Sequence, residues 1–194
     1  MRIISGIYKS RKLLAPGGDT TRPTSDRARE SLFNVLQNLV DFDEMNILDL
    51  FGGSGAFAFE ALSRGAKHAT LVEQSRKVTE TIRANAKTLK VEAHLNIVQK
   101  DVYLWLSSLS EFQTKDDRRL TIDVVFADPP YDDPRTLTDL PNLIFACGLL
   151  TEDSLVIVEH RKGSHVEIPA NAELIRELSA GEAVFSFLRR KQDT

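Results

Sequence analysis

Asn46-Ile47-Leu48-Asp49-Leu50-Phe51-Gly52-Gly53-Ser54-Gly55 is the stretch on which the fold turns. Its first six residues read as a core strand and its glycines as a tight turn. Ala56 to Arg64 reads as the following helix, stopped by Gly65 as a C-terminal cap. Glycines at a strand-to-helix turn let a ligand come close to the backbone, and the helix N-terminus behind them favours negative groups. The turn means little alone; its place between a strand and a helix gives it weight.

Reading forward, Ala69-Thr70-Leu71-Val72 is a second strand ending at Glu73, about twenty residues past the glycine turn. An acidic residue there can bind both hydroxyls of a ribose. Ser75 caps the next helix, whose buried face is Val78, Ile82 and Leu89. A third strand, Leu95 to Val98, ends near Asp101, where a side chain could accept from an adenine amino group. A short helix with Tyr103, Leu104, Trp105 and Leu106 follows, with Trp105 serving core or partner packing. Gln113 to Arg119 is a polar loop of mixed charge.

The apolar run Ile122 to Ala127, broken only by Asp123, is a buried parallel strand that ends in Asp128-Pro129-Pro130-Tyr131. Ligands in open α/β sheets sit beyond the carboxyl ends of the strands. The prolines fix φ and carry no amide hydrogen, so their carbonyls point in a set direction. An Asp carboxylate beside a Pro carbonyl makes an acceptor pair that matches a planar NH2 group. A tyrosine next to the pair offers a face to a planar base. The bland alternative is a strand-to-loop turn, in which Asp-Pro and Pro-Pro are common.

After it, the loop Asp132 to Arg135 is expected to be mobile, as a lid would be. Leu137 to Leu150 is helical, with Pro141 marking a break or a new first turn and Gly148 a cap. Leu155 to Val158 is a fifth strand ending at Glu159-His160. His165 to Ile168 and Ala183 to Leu188 read as a closing antiparallel pair. His160, with no second ligand at metal spacing, is structural or substrate-facing. Before the core, Arg2 to Leu14 reads as a short strand or hairpin outside the main core. Thr24 or Ser25 caps a helix that buries Ala28, Leu32, Val35, Leu36 and Leu39, leaves Arg27 and Arg29 elsewhere on its surface, and ends near Asp41. The organisation expected is a basic hairpin extension, residues 1–24, on a Rossmann-like domain, residues 25–194. Strands alternating with helices over 46–160 give a doubly wound α/β sheet.

The chain of 194 residues is 42% apolar and 27% charged, ordinary for a globular protein. One cysteine, Cys147, excludes an internal disulfide and a cysteine metal cluster, and fits a reducing cytoplasm. No run approaches membrane-span length, and the first residues lack an export signal, so a cytoplasmic protein is expected. The net charge of −3 argues against nucleic-acid binding, but its distribution does not. Residues 1–40 hold seven basic and three acidic residues, a local charge of +4 that leaves −7 for the remainder. A basic arm on an acidic body can bind phosphate locally; the bland alternative is a solvated face.

Asp49-Leu50-Phe51-Gly52-Gly53-Ser54-Gly55 resembles motif I of the class I S-adenosylmethionine-dependent methyltransferases, and Asp128-Pro129-Pro130-Tyr131 resembles their amino-methylating motif IV. Arg2-Ile3-Ile4-Ser5-Gly6, Arg11-Lys12-Leu13 and the run Thr21 to Asn34 narrow the resemblance to the RsmD family, which methylates the exocyclic amine of a guanine in 16S ribosomal RNA. Gly52 stands where an Ala is common there, and Ser5 where a Gly is common. The resemblance implies S-adenosylmethionine as cofactor, with Gly53 and Gly55 under its methionine end and Asp49 near its amino group. Glu73 is implied at the ribose, Asp101 and Val102 at the adenine, and Phe51 and Gln74 beside the cofactor. Asp128 and the Pro129 carbonyl take the amine hydrogens, with Pro130 and Tyr131 completing the catalytic set and Tyr131 stacking on the base. Because stacking needs the ring, the Tyr131 hydroxyl is expected to be dispensable. Arg22, Thr24 and Arg27 lie near the cofactor and RNA entrance, and Arg2, Arg11 and Lys12 on RNA phosphates. The partner implied is 16S ribosomal RNA, within a small-subunit ribonucleoprotein particle, with no metal and no membrane. DNA adenine and protein glutamine methylation use the same motif pair, but about forty residues before the core are too few for a DNA target-recognition domain. A non-catalytic nucleoside- or RNA-binding module is the rival from another class, and intact Asp128 and Tyr131 speak against it.

Overall fold

The computed structural model describes residues 1–17, 26–111, 121–133 and 135–192. Seven strands form one sheet in the order β3-β2-β1-β4-β5-β7-β6: β1 (Asn46–Leu50), β2 (His68–Val72), β3 (Leu95–Val98), β4 (Ile122–Ala127), β5 (Leu150–Arg161), β6 (Ala172–Ala180) and β7 (Ala183–Arg190). The first five are parallel; β7 runs antiparallel between β5 and β6. This is the class I methyltransferase fold, a doubly wound sheet closed by an antiparallel pair. The helices are α1 (Asp26–Leu36), α2 (Ala56–Ser63), α3 (Arg76–Leu89), α4 (Val102–Glu111) and α5 (Arg135–Ala146).

Strand alternation divides the core in two. Ile47, Leu71, Val124 and Ile157 pack with α1, α2 and α3 on one face, while Leu48, Val72, Val125 and Val158 pack with α4 and α5 on the other. Two buried faces explain why β1 and β4 are nearly continuous apolar runs. Connections leave β1 toward β2 on one side, while β4 and β5 lie on the other. The β1/β4 boundary is therefore the switch point of the sheet.

Several sequence expectations need correction. The segment Arg2–Leu14 does not lie outside the main core: Ile3 and Leu13 are buried in the α1–α3 layer. Its hairpin character survives in one antiparallel bridge, Arg2 to Lys12. A buried carboxylate of α2 draws it in. Glu60, fully buried, accepts from the Ile4 amide at 2.7 Å and the Ser5 amide at 2.9 Å, and is paired with Arg64 at 2.9 Å. Gly6 closes against α2 so tightly that a Cβ there would stand 1.8 Å from the Ser63 carbonyl oxygen, at φ +79. Arg29 is not on the helix surface either; it is buried and donates to the Arg2 carbonyl at 2.6 Å and to Asp26 at 2.9 Å.

Helix α1 ends at Leu36, five residues short of Asp41, and α5 spans Arg135–Ala146 with Pro141 inside it. The expected strand His165–Ile168 is not one. The partner of β7 is β6, Ala172–Ala180, which lies between the two stretches expected to pair. It is an edge strand with mostly exposed residues, and a register shift between Leu174 and Arg176 breaks the period of two that would betray it. Thr24 and Ser25, either of which was expected to cap α1, and the loop Gln113–Arg119 lie outside the described residues.

Candidate active site

The site is built where β1 and β4 end. Phe51 leaves β1 in the left-handed region at φ 64, and Gly53 and Gly55 follow at φ 53 and 75. Gly55 is doubly constrained, because a Cβ there would stand 2.6 Å from the Phe59 ring. The Gly55 amide donates to the Gly52 carbonyl at 2.7 Å, which closes the turn. Gly55 is also the N-cap of α2 and has no side chain to offer. Asp49 on β1 supplies the missing acceptor, taking the Ala58 amide at 3.3 Å, so the strand caps the helix it leads to.

Glu73 ends β2 and bridges two elements. One carboxylate oxygen accepts from the Gly53 amide at 3.2 Å and the other from the Ser75 amide at 2.8 Å, at the start of α3. Ser75 caps that helix as expected, accepting from Val78. The glycine turn, the end of β2 and the head of α3 are thus tied through one carboxylate. Asp101 accepts from the Leu104 amide at 3.0 Å and so caps α4; Val102 beside it is buried. Gln74 is exposed. Phe51 meets the buried Tyr103 edge-on at 6.1 Å, and the Arg135 guanidinium lies 4.0 Å from the centre of the Tyr103 ring. Burial is the main reason that the Tyr103 phenol is pushed up to about 12.

Register fixes the position of Asp128. Ala127 pairs with Leu50 on one side and Val158 on the other. Asp128 therefore emerges between the Phe51–Gly55 turn and Glu159. It is close enough to Asp49 to matter electrostatically. Burial chiefly, opposed by the Ala58 amide and reinforced by Asp128 and Glu73, holds the Asp49 carboxyl well above its usual range. Three carboxylates thus converge on the glycine turn. Such a cluster favours a cation over an anion.

The two prolines play different parts. The Pro130 carbonyl is used within the turn, accepting from the Asp133 amide at 3.1 Å and facing the Thr136 hydroxyl at 3.5 Å. Among the described residues the Pro129 carbonyl, next to Asp128, takes no backbone hydrogen bond within this turn. Within the stretch Asp132 to Arg135, the Arg135 guanidinium pairs with Asp133 at 2.8 Å. Tyr131 is 40% exposed, and its hydroxyl donates to Glu159 at 2.9 Å. Sequence reasoning passed over Glu159 as a strand end. The signal it offered was an acidic residue closing an apolar strand beside the Asp-Pro-Pro-Tyr turn.

Arg2, Arg11, Lys12 and Arg27 are all exposed. The arm that carries the first three reaches the glycine turn: Ser54 donates to the Met1 sulfur at 3.0 Å, and Asn85 donates to the Leu14 and Ser54 carbonyls. Arg22 and Thr24 lie outside the described residues. A surface depression lined by Gly6, Gln37 to Phe42 and Arg64 lies at the opposite edge, where β1 and β2 begin.

Comparison with known proteins decides the family. The family described as Conserved hypothetical protein 95 matches residues 1–189. The ribosomal RNA small subunit methyltransferase D of Escherichia coli is 35% identical over 192 residues, 98% of this chain and 90% of that protein. The chain belongs to the RsmD family. RsmD-family proteins are S-adenosylmethionine-dependent methyltransferases, and this chain is one of them. The solved structure of Escherichia coli yhhF superposes with a TM-score of 0.80 at 35% identity, over 100% of this chain and 99% of that one. SMU.776, solved with S-adenosylhomocysteine, shares the fold at 15% identity and a TM-score of 0.61, over 94% of this chain and 52% of that one.

Proposed function

We propose that this RsmD-family chain methylates the exocyclic N2 amine of a guanine in 16S ribosomal RNA of the small subunit. The observation that carries the reading is the acceptor pair at the end of β4. Asp128 and Pro129 follow Ala127, which the register sets beside Leu50 at the start of the glycine turn, and among the described residues the turn's backbone hydrogen bond uses the Pro130 carbonyl rather than that of Pro129. The family and the small-subunit rRNA name of its Escherichia coli relative support the class of substrate.

The residues fit the cofactor. The three converging carboxylates suit a cationic group, and a Cβ added at Gly53 would meet nothing nearer than the Phe51 carbonyl at 3.7 Å, so the outer side of the turn is open. S-adenosylmethionine, when bound, supplies an electrophilic methyl on a sulfonium. Gly53 and Gly55 shape the floor beneath its methionine end, and Asp49 acts there through its charge, since its carboxylate is turned to Ala58. Glu73 takes the ribose hydroxyls; Asp101 and Val102 border the adenine, with Phe51 and Gln74 beside it.

A guanine amino lone pair is delocalised into the ring and is a poor nucleophile. Asp128 and the Pro129 carbonyl would accept hydrogen bonds from its two N–H groups, favour a pyramidal nitrogen, and stabilise the positive charge that develops during attack; one proton then leaves the methylated amine by way of Asp128 or solvent, and S-adenosylhomocysteine is the leaving product. Tyr131 holds the base plane, which supplies orientation. Pro130 locks the turn that aims both acceptors. The base must leave its stack, at a cost of a few kcal/mol that is least for a loop nucleotide. Arg2, Arg11, Lys12 and Arg27, with Arg22 and Thr24 from the adjoining segment, guide the RNA backbone in. An assembling small-subunit particle is the form of substrate that a small basic arm on an acidic body suits best.

The test is Asp128→Ala, assayed for cofactor binding by calorimetry and for methyl transfer to small ribosomal subunits from cells lacking the enzyme. Binding is expected to persist while turnover falls at least a hundredfold, the order found when a single charge-stabilising acceptor or donor is removed. Near-normal methylation by the variant would end this reading, and mass mapping of the 16S ribosomal RNA would show which base carries the methyl group.

A further inference from the structure

Glu159 sits on β5, where its neighbours Ile157 and Val158 are fully buried, and is itself only 3% exposed. A carboxylate so placed is costly unless it is hydrogen-bonded. Its partner across the site is the Tyr131 hydroxyl, which donates to Oε1 at 2.9 Å. Arg161, two residues along the same strand and so on the same side of it, brings its guanidinium 5.5 Å from the centre of the Tyr131 ring. Two alternate residues of β5 therefore hold Tyr131, one by its hydroxyl and one by a ring face.

We infer that Glu159 is a positioning residue: through the Tyr131 hydroxyl it sets the plane of the ring against which the target base stacks. This rests on the methyl-transfer reading above and adds to it. Arg161 occupies one face of the ring, so the base takes the other. The hydroxyl is then a working part of the site, contrary to the expectation that only the ring matters. A tyrosine on a loop tip, 40% exposed, has rotamers to spare; the bond to a buried strand carboxylate removes them before RNA arrives. The phenol stays neutral and able to donate, because burial chiefly, and then the charge of Glu159, raises its pKa. The ring's orientation thereby becomes a property of the sheet rather than of the loop.

The experiment is a double-mutant cycle on small ribosomal subunits from cells lacking the enzyme, with cofactor affinity and thermal midpoint measured alongside. Tyr131→Phe and Glu159→Leu are each expected to raise KM for the particle about tenfold, the scale of one lost hydrogen bond, with cofactor affinity within about twofold of the parent. Glu159→Gln keeps an oxygen that can accept the hydroxyl and should retain most of the activity. The double variant Tyr131→Phe with Glu159→Leu should be no worse than the poorer single variant, since both substitutions break the same Tyr131–Glu159 bond. Parent-like activity of Tyr131→Phe, or losses that multiply in the double variant, would overturn the inference. Asp128→Ala, run in parallel, separates this failure from failure of the functional reading: a dead Asp128→Ala beside a fully active Tyr131→Phe sinks the role of Glu159 alone.

Discussion

Asp49 shows how one residue can be asked for two things at once. Its carboxylate caps α2 through the Ala58 amide, and it lies fully within the layer beneath the glycine turn. Burial raises its pKa above the ordinary 3.8, and the neighbouring Asp128 and Glu73 add to this. The sign of the consequence is definite. The folded state holds the Asp49 proton to higher pH than the unfolded chain does. The stability this contributes is complete below 3.8 and is lost as pH rises through the folded-state value. Asp49→Asn keeps an acceptor for Ala58 and removes the charge. The ligand-free variant should therefore lose less stability than the parent between pH 4 and pH 7, by urea denaturation, while its affinity for S-adenosylmethionine falls. A parent-like pH slope in the variant would mean that the Asp49 charge costs the fold nothing.

Among the elements, the N-terminal arm is held by side chains of α2 and α3 rather than by strand pairing. Glu60, Ser63 and Asn85 take its backbone amides, and Arg64 neutralises Glu60. Removing one member of a buried ion pair leaves the other uncompensated, at about 3–5 kcal/mol. Glu60→Leu should lower stability by that amount and free the arm first: limited trypsin digestion should cut after Arg11 and Lys12 ahead of any site in the body. Uniform digestion at the parental rate would show that the arm does not depend on Glu60, the remaining contacts of Ser63, Asn85 and Arg29 and the burial of Ile3 and Leu13 being enough to hold it. This attachment was not legible in the sequence, because along the chain a glutamate in the apolar helix Ala56–Ser63 shows only its i+4 neighbour Arg64; the arm amides that it holds are some 55 residues away. The units with local signatures were legible. The strand, glycine turn and helix from Asn46 to Ser63 and the strand into Asp128-Pro129-Pro130-Tyr131 could be read because period, turn chemistry and burial agree there. Edge strand β6 could not, since its exposed residues and its bulge carry no alternation. Glu159 failed for a third reason: its role appears only when β5 is laid beside β4.

For the molecule as a whole, charge is divided between a basic N-terminal segment and an acidic remainder. The segment 1–40 carries +4 and the remainder −7. On the reading proposed above, an acidic body would repel RNA at long range, and recruitment would fall to the exposed cations of the N-terminal segment. Arg11 and Lys12 are exposed and lie outside the ion pairs that hold the fold among the described residues. Each phosphate contact to single-stranded RNA releases condensed counterions and contributes about 0.7 to the slope of log affinity against log salt. Arg11→Ala with Lys12→Ala should therefore reduce that slope by about 1.4, if both side chains sit on phosphates. Thermal midpoint and cofactor affinity should be unaffected, because neither side chain packs into the core. The measurement is particle binding from low to physiological salt, for the parent and the double variant. An unchanged slope would remove the arm from the RNA path and move the entrance to the Arg135 and Arg161 side of the sheet. A reduced slope with unchanged methylation at saturating particle would place the arm in recruitment alone, leaving orientation of the base to β4 and β5.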